Sequence, residues 1–107
     1  MSDRLAAHLE VSGLVRSVQA AGGFATVIAT GERDSGTIMV ICCVSGASAV
    51  AYERQPTTDG TRKWSAVLSQ DADIPGEFWE YCKRRQSQDP DLWIVELDIP
   101  QAERFIA

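Results

Sequence analysis

The sequence predicts an α/β domain of the α+β kind, with a mixed, mainly antiparallel five-stranded sheet and helices on its faces. Four short runs between residues 24 and 68 are rich in β-branched and aromatic residues, and turn-forming residues separate them. An apolar stripe with helical spacing precedes these runs, and a second helical segment and an alternating strand follow them. The predicted order of elements is therefore α-β-β-β-β-α-β.

The first predicted element is a helix over residues 3–21, which Ser2 or Asp3 can cap. Leu5 and Leu9 lie on the side opposite its main apolar stripe. They predict a second contact, either with the C-terminal segment or with another chain. The stripe itself follows alternating steps of four and three residues and consists of Ala7, Val11, Leu14, Val18 and Ala21.

Four strands are predicted next, over residues 24–30, 37–44, 47–52 and 63–68. In residues 37–44 both alternating faces are apolar, which is typical of a strand that is covered on both sides. Residues 24–30 show a similar pattern, and Asp59-Gly60 supplies turn chemistry before the fourth strand. A sheet with helices on both faces accounts for these patterns better than an open two-layer sheet.

A second helix is predicted over residues 73–86, with Pro75 in its first turn and Asp89-Pro90 beyond its end. Its expected buried residues are Ile74, Phe78, Tyr81 and Cys82. Residues 91–99 form the clearest strand, because apolar residues alternate along it. The crossover from Leu68 to Leu92 permits a parallel pairing of this last strand.

Length and composition indicate an ordinary globular chain that forms one domain over residues 1–107, with 45% hydrophobic and 23% charged residues. No apolar run reaches the ~20 residues that cross a bilayer, and no secretory signal is recognised. We therefore expect a cytoplasmic protein with no membrane partner. A net charge of −5 and a pI near 4.7 argue against a nucleic-acid partner.

Residues for catalysis or for a cofactor do not form a recognisable pattern in the sequence. His8 is the sole histidine, and no glycine-rich phosphate loop occurs. Cys42 and Cys43 are neighbours on a predicted strand and point to opposite faces, so that we expect buried structural thiols and no zinc site. We therefore predict no cofactor, no metal and no catalytic residue.

Charged and aromatic residues near the last strand are the remaining candidates for a binding site. Glu96 lies mid-strand on an apolar face, and we hypothesise that it binds Arg54, or else Arg84 or Arg85. Asp89 and Asp91 flank a proline, and acid pairs of this kind can bind a divalent cation or divide acid–base work. The other interpretation is that Asp89 starts a turn and Asp91 caps the entry to the strand. The candidate binding residues are thus Arg54, Arg84, Asp89, Asp91, Trp93 and Glu96.

A series of phrases in the sequence resembles the small alphaproteobacterial family catalogued as domain of unknown function number 1491. The most specific phrase is Asp89-Pro90-Asp91-Leu92-Trp93 with the following Glu96. The other phrases, in order, are Gly22-Gly23-Phe24-Ala25, Ser35-Gly36, Tyr52-Glu53-Arg54, Asp59-Gly60 with Trp64, and Arg84-Arg85. The resemblance covers nearly the whole chain and implies a single-domain bacterial protein of α and β architecture. It implies no activity.

The function that the sequence favours is a non-catalytic interaction module whose partner is a protein, with a homodimer as one form of that pairing. This prediction depends on the two extra leucines, Leu5 and Leu9, and on the lack of a catalytic motif. The alternative is a small metal-assisted hydrolase. It would use Asp89, Asp91 and Glu96, while Arg54 or Arg84 holds an anionic group.

Overall fold

The computed structural model describes residues 5–56 and 62–106, so that the predicted cap at Ser2 or Asp3 and the turn at Asp59-Gly60 lie outside the described residues. The elements follow the predicted order. They are α1 (Ala7–Ala20), β1 (Phe24–Ala29), β2 (Ile38–Val44), β3 (Ala47–Pro56), β4 (Arg62–Ser69), α2 (Gly76–Gln88), β5 (Trp93–Asp98) and a short 3-10 helix (Ala102–Phe105). Neither α-helix has the length and apolarity needed to cross a membrane.

The five strands form one mixed sheet in the order β1-β5-β2-β3-β4. β5 pairs parallel with β2 and antiparallel with β1, and the pairs β2–β3 and β3–β4 are antiparallel. The predicted mixed, mainly antiparallel sheet is thereby confirmed. The crossover through α2 carries the chain past β3 and β2, so that the parallel neighbour of β5 is β2 and not the preceding strand β4.

Helix α1 covers one face of the sheet. Its buried residues Ala7, Val11 and Val18 pack against a cluster that includes Val95 and Leu97 of β5. Ala6 precedes the first residue of this helix, and no side chain of the described residues caps the helix there. Instead, the backbone N–H groups of its first two residues donate to the carbonyl oxygens of Asp34 and Arg33, at 3.0 and 2.9 Å. Ala21, the last residue of the predicted stripe, lies outside the helix and is exposed, because α1 ends at Ala20.

Helix α2 covers the other face, where Phe78 and Cys82 pack against a cluster that includes Met39 and Ile41 of β2. The predicted burial of Ile74 is wrong, since its side chain is 47% exposed. The reason is that the helix begins only at Gly76. Ile74 therefore lies in the connection between β4 and α2, before the helix that packs on the sheet.

Strand β1 is exposed at the edge of the sheet, which corrects the expectation that both of its faces are covered. Phe24 is 75% exposed, and Val27 and Ile28 are exposed as well. Among the described strands, β5 alone pairs with β1. An edge strand is covered from fewer sides than a central one. Ala29 is accordingly the one residue of β1 among the buried residues of the cluster beneath α2.

Candidate functional site

The carboxylates at positions 89 and 91 belong to a turn rather than to an open site. The Asp91 backbone N–H donates to Oδ1 of Asp89 at 3.1 Å, and the Thr37 hydroxyl donates to Oδ2 of Asp89 at 3.3 Å. Oδ1 of Asp89 thus accepts a local hydrogen bond, as turn-forming aspartates do, and Oδ2 accepts one from a residue 52 positions away in the sequence. Asp91 precedes β5, and Glu96 lies three residues further along that strand than Trp93, about 10 Å at about 3.3 Å per residue. Within the described residues, no three histidine, cysteine or acidic side chains are grouped to hold a metal ion. The three carboxylates of the hydrolase alternative do not converge.

The backbone around Asp91 is closely packed. Its carbonyl oxygen accepts a hydrogen bond from the Glu32 N–H at 2.9 Å. A methyl group added at Gly31 or at Gly36 would overlap this same carbonyl oxygen. The side chain of Glu32 accepts hydrogen bonds from the backbone and hydroxyl of Ser35, and these bonds lower the pKa of Glu32. The loop over residues 31–36 is therefore fastened to the start of β5.

Glu96 does not bind the arginines that the sequence suggested. Arg54 pairs with Glu10, and Arg85 pairs with Glu53, while no ion pair within the described part of the chain joins Glu96 to Arg84. Glu96 is only partly buried, opposite Thr26 of β1. The hypothesis of an internal salt bridge at Glu96 is wrong because Arg54 and Arg85 pair with other acids, and Arg84 is exposed on α2 without an ion pair to Glu96.

Asp98, the second acid on the same face of β5, has a structural contact. Its two carboxylate oxygens accept hydrogen bonds from the backbone N–H groups of Ser45 and Gly46, at 2.7 and 3.1 Å. Those residues form the tight turn between β2 and β3, and both have a positive φ, of 52° and 73°. Asp98 thereby holds the β2–β3 turn against the end of β5.

Trp93, a candidate binding residue, is part of the core beneath α1. Its side chain is buried, and its indole N–H donates to the Glu32 carbonyl oxygen at 2.7 Å. A buried tryptophan whose single donor is satisfied has no free polar group to offer a ligand. The structure thus places Trp93 as an anchor between β5 and the 31–36 loop.

The arginine candidates have three different surroundings. Arg54 donates two hydrogen bonds to Glu10, at 2.6 and 2.8 Å, and lies over the ring of Trp64 with 4.8 Å to the ring centroid. Arg85 donates to Glu53, at 2.6 and 3.3 Å, and this pairing raises the pKa of Arg85. Arg84 is exposed on α2. Arg54 and Arg84 each border a groove.

The three cysteines are free and buried. Cys42 packs in the cluster beneath α1, while Cys43 and Cys82 pack in the cluster beneath α2. Burial raises the pKa of Cys42 to about 12 and those of Cys43 and Cys82 to about 11. Within the described ranges, no group of three histidine, cysteine or acidic side chains is arranged to hold a metal ion.

A groove of about 400 Å³ runs beside α1, and we call it the α1 groove. Leu5 and Leu9 form one side of it, with 61% and 51% of their surfaces exposed. Arg54 stacked on Trp64 forms part of the opposite side. The remaining lining residues are Glu10, Gly13, Leu14, Ser17, Phe105 and Ile106.

A larger groove of about 670 Å³ lies between α2 and β4, and we call it the α2–β4 groove. Leu68 and Ser69 of β4 form one wall, and residues along one side of α2 form the other. Ile74, on the connection between them, also lines it. The charged residues of its lining are Asp71, Glu77, Glu80 and Arg84.

Sequence reasoning identified Leu5 and Leu9 but missed the α2–β4 groove and the acids that bind the arginines. Glu53 and Arg54 are adjacent in a strand and so must point to opposite faces, which was a usable signal for two separate partners. For the α2–β4 groove, the signal was an isoleucine among acids, since Ile74 follows Asp71 and Asp73 and precedes Glu77.

Comparison with known proteins gives a family but no activity. The family model described as "Protein of unknown function (DUF1491)" matches residues 5–107. The crystal structure of a DUF1491 family protein from Caulobacter crescentus is 25% identical, with a TM-score of 0.84 over 97% of this chain and 96% of that one. The solution structure of protein Atu0922 from A. tumefaciens is 27% identical, with a TM-score of 0.74 over 96% of this chain and 92% of that one. No curated protein matches the chain.

Proposed function

Because the chain belongs to the DUF1491 family, whose description assigns no activity, we propose a role from the structure: a small cytoplasmic, non-catalytic interaction module that binds a protein through the α1 groove. The observation that carries this proposal is the exposure of Leu5 and Leu9 along one side of that groove. Leu9 lies on α1 and Leu5 lies just before the helix begins, and the rest of the described chain leaves much of both side chains in contact with solvent.

The composition of the α1 groove supports a protein partner. Burying a leucine side chain completely is worth about 1.5–3 kcal/mol, so that two half-exposed leucines offer a partner a useful share of its binding energy. The opposite side carries an arginine stacked on a tryptophan, Arg54 on Trp64, and these residue types are enriched where proteins bind one another. A second copy of the chain is one such partner, which would make the protein a homodimer.

The cysteines support the proposed compartment. Cys42, Cys43 and Cys82 are free, although Cys43 and Cys82 pack in one cluster. Free thiols persist in the reducing cytoplasm, whereas oxidising compartments favour disulfides.

The test compares the wild-type chain with Leu9→Ser, and Val44→Ser is the matched control because Val44 is 47% exposed outside the groove. Light scattering after size exclusion measures self-association, and capture from an alphaproteobacterial lysate measures other partners. The proposal expects a dimer, or a captured protein, that the wild type and Val44→Ser share and that Leu9→Ser loses. Equal behaviour of all three chains would reject the α1 groove as the interaction surface.

A further inference from the structure

The α2–β4 groove combines an open sheet edge, an exposed apolar residue and an acidic lining. We propose that it binds an extended basic peptide segment of another protein, which adds a strand to β4 and places an apolar side chain against Ile74. This site lies apart from the α1 groove, because the lining residues of the two grooves do not overlap. It is therefore a second interaction surface beyond the proposed function.

The open edge of β4 supplies the main-chain part of this recognition. β4 is the last strand of the sheet and pairs on one side only, with β3. Every second residue of such a strand turns its N–H and C=O groups outward. Within the described part of the chain, no backbone hydrogen bond joins β4 to an element other than β3. An added extended segment would pair these groups, which is how peptide-binding domains extend a sheet.

The groove beside this edge supplies a place for a side chain. Ile74 is 47% exposed, and Leu68 and Phe78 line the same groove. In an added strand, every second side chain would face α2, because successive residues of a strand point to opposite faces. One apolar side chain of the peptide can therefore contact Ile74 while its neighbours stay in solvent.

Charge complementarity determines the chemistry of the peptide. Three carboxylates line the groove, those of Asp71, Glu77 and Glu80, against the single guanidinium of Arg84. Asp71 already accepts a hydrogen bond from the Asp73 N–H at 2.9 Å, and Glu77 lies in the first turn of α2, where it offsets the helix dipole. Glu80 is exposed and outside that turn. Lysine or arginine residues two positions to either side of the apolar anchor would face α2 as the anchor does, and their charge suits this lining.

The probe is a fluorescent peptide with a leucine at its centre, lysines two and four positions to either side of it and threonines between them, so that the leucine and the lysines share one face of a strand. Fluorescence anisotropy measures its binding. We expect saturable binding that salt weakens, since exposed charges are screened. The same peptide with glutamate in place of lysine is the charge control. A third peptide, N-methylated at alternate amides, tests the added strand because it cannot make the outward hydrogen bonds.

Two pairs of variants localise the binding. Ile74→Ser should weaken binding of the lysine peptide about five- to ten-fold, whereas Val44→Ser, which removes an equally exposed apolar side chain elsewhere, should leave it within two-fold. Glu80→Lys should weaken binding several-fold at low salt, while Glu103→Lys, the same charge change at an exposed site outside the groove, should not. These variants affect exposed side chains, so that the chain should stay folded.

The results have separate consequences for the two surfaces. Loss of binding in Ile74→Ser and Glu80→Lys with retention in Leu9→Ser would support the α2–β4 groove. No binding of the lysine peptide, equal binding of the glutamate peptide, or undiminished binding of the N-methylated peptide would overturn it. Loss of peptide binding in Leu9→Ser alone would place the peptide in the α1 groove and overturn this second site.

Discussion

Glu53 and Arg54 are adjacent in β3 and bind helices on opposite faces of the sheet. Glu53 accepts hydrogen bonds from Arg85 of α2, and Arg54 donates two hydrogen bonds to Glu10 of α1. Because neighbouring residues of a strand point to opposite faces, one dipeptide contacts both helical layers. β3 thereby fixes the position of each helix over the sheet through a charge pair at the rim of the apolar core.

We predict that Arg54→Met lowers the free energy of unfolding by about 1–2 kcal/mol. The Arg54–Glu10 pair makes two charge-assisted hydrogen bonds, and both side chains are largely shielded from solvent. Its contribution to the free energy of unfolding should therefore exceed that of an exposed ion pair. Urea unfolding of Arg54→Met, Glu10→Gln and the double variant measures the coupling between the two residues. Additive effects of the single changes would show that the pair contributes nothing.

Leu97→Ala is expected to lower the free energy of unfolding by about 2–5 kcal/mol. Leu97 is fully buried in the cluster beneath α1, and truncation leaves a cavity in a core that cannot collapse completely. A domain of this size has little stability to lose. Urea unfolding measures the change, and a loss below about 1 kcal/mol would mean that β5 is peripheral to the core.

Gly31→Ala and Gly13→Ala should have opposite effects on stability. A methyl group at Gly31 would overlap the backbone carbonyl of Asp91, so that the loop or the start of β5 must shift, and we expect a loss of more than about 2 kcal/mol. Gly13 lies inside α1 with open space around its Cα. There, alanine should stabilise the fold by about 0.4–1 kcal/mol. Thermal and urea unfolding measure both, and a Gly31→Ala chain of wild-type stability would contradict the close contact.

The sequence was sufficient to predict both α-helices and the five strands in order, since local periodicity and turn residues mark them. It could not predict strand order, and the error at β1 follows from that. The apolar pattern of residues 24–30 looks like that of a central strand, yet β1 is at the edge and Phe24 is exposed. Local pattern reports which residues are apolar but not which neighbours a strand will have.

The errors in the candidate site have the same origin. The partners Glu10 and Arg54 are 44 residues apart, and Glu53 and Arg85 are 32 apart. Their pairing depends on which helix lies over which face of β3, and this is a tertiary property. Asp89 could be interpreted from the sequence as a turn residue, because turn contacts are local. The hydrogen bond that its carboxylate accepts from the Asp91 N–H spans only two residues. Local contacts were predictable and distant ones were not.

The three cysteines should resist a thiol reagent in the native protein and react after unfolding. Burial raises the pKa values of Cys42, Cys43 and Cys82, so that almost no thiolate is present at about pH 8. Labelling with a disulfide reagent in the presence and absence of urea measures this. Rapid labelling of the native chain would contradict the burial.

The same thiols make stability depend on alkaline pH. A buried thiol whose pKa is higher in the folded than in the unfolded chain stabilises the fold. Its contribution to the free energy of unfolding is fully present below the unfolded pKa, here about 9. This stability is lost as pH rises through the folded value of about 11 for Cys82. Between about pH 8 and 10, the free energy of unfolding of Cys82→Ala should therefore decline less than that of the wild type.

Glu96→Gln tests whether the carboxylate on β5 has a structural or a metal-binding role. Because Glu96 does not pair with Arg54, Arg84 or Arg85, we expect the free energy of unfolding to change by less than about 0.5 kcal/mol. The charge of Glu96, after burial itself, helps to raise the pKa of Cys43, so that the variant should lower that pKa. Ultraviolet titration of the thiolate measures the pKa.

The metal-binding role is tested by melting the wild type and Glu96→Gln with added Mg²⁺, Mn²⁺ or Ca²⁺. These cations should leave the melting temperatures of both chains unchanged, since a ligand stabilises only a fold that binds it. A cation-dependent rise in the wild type that Glu96→Gln abolishes would contradict this and support the hydrolase alternative.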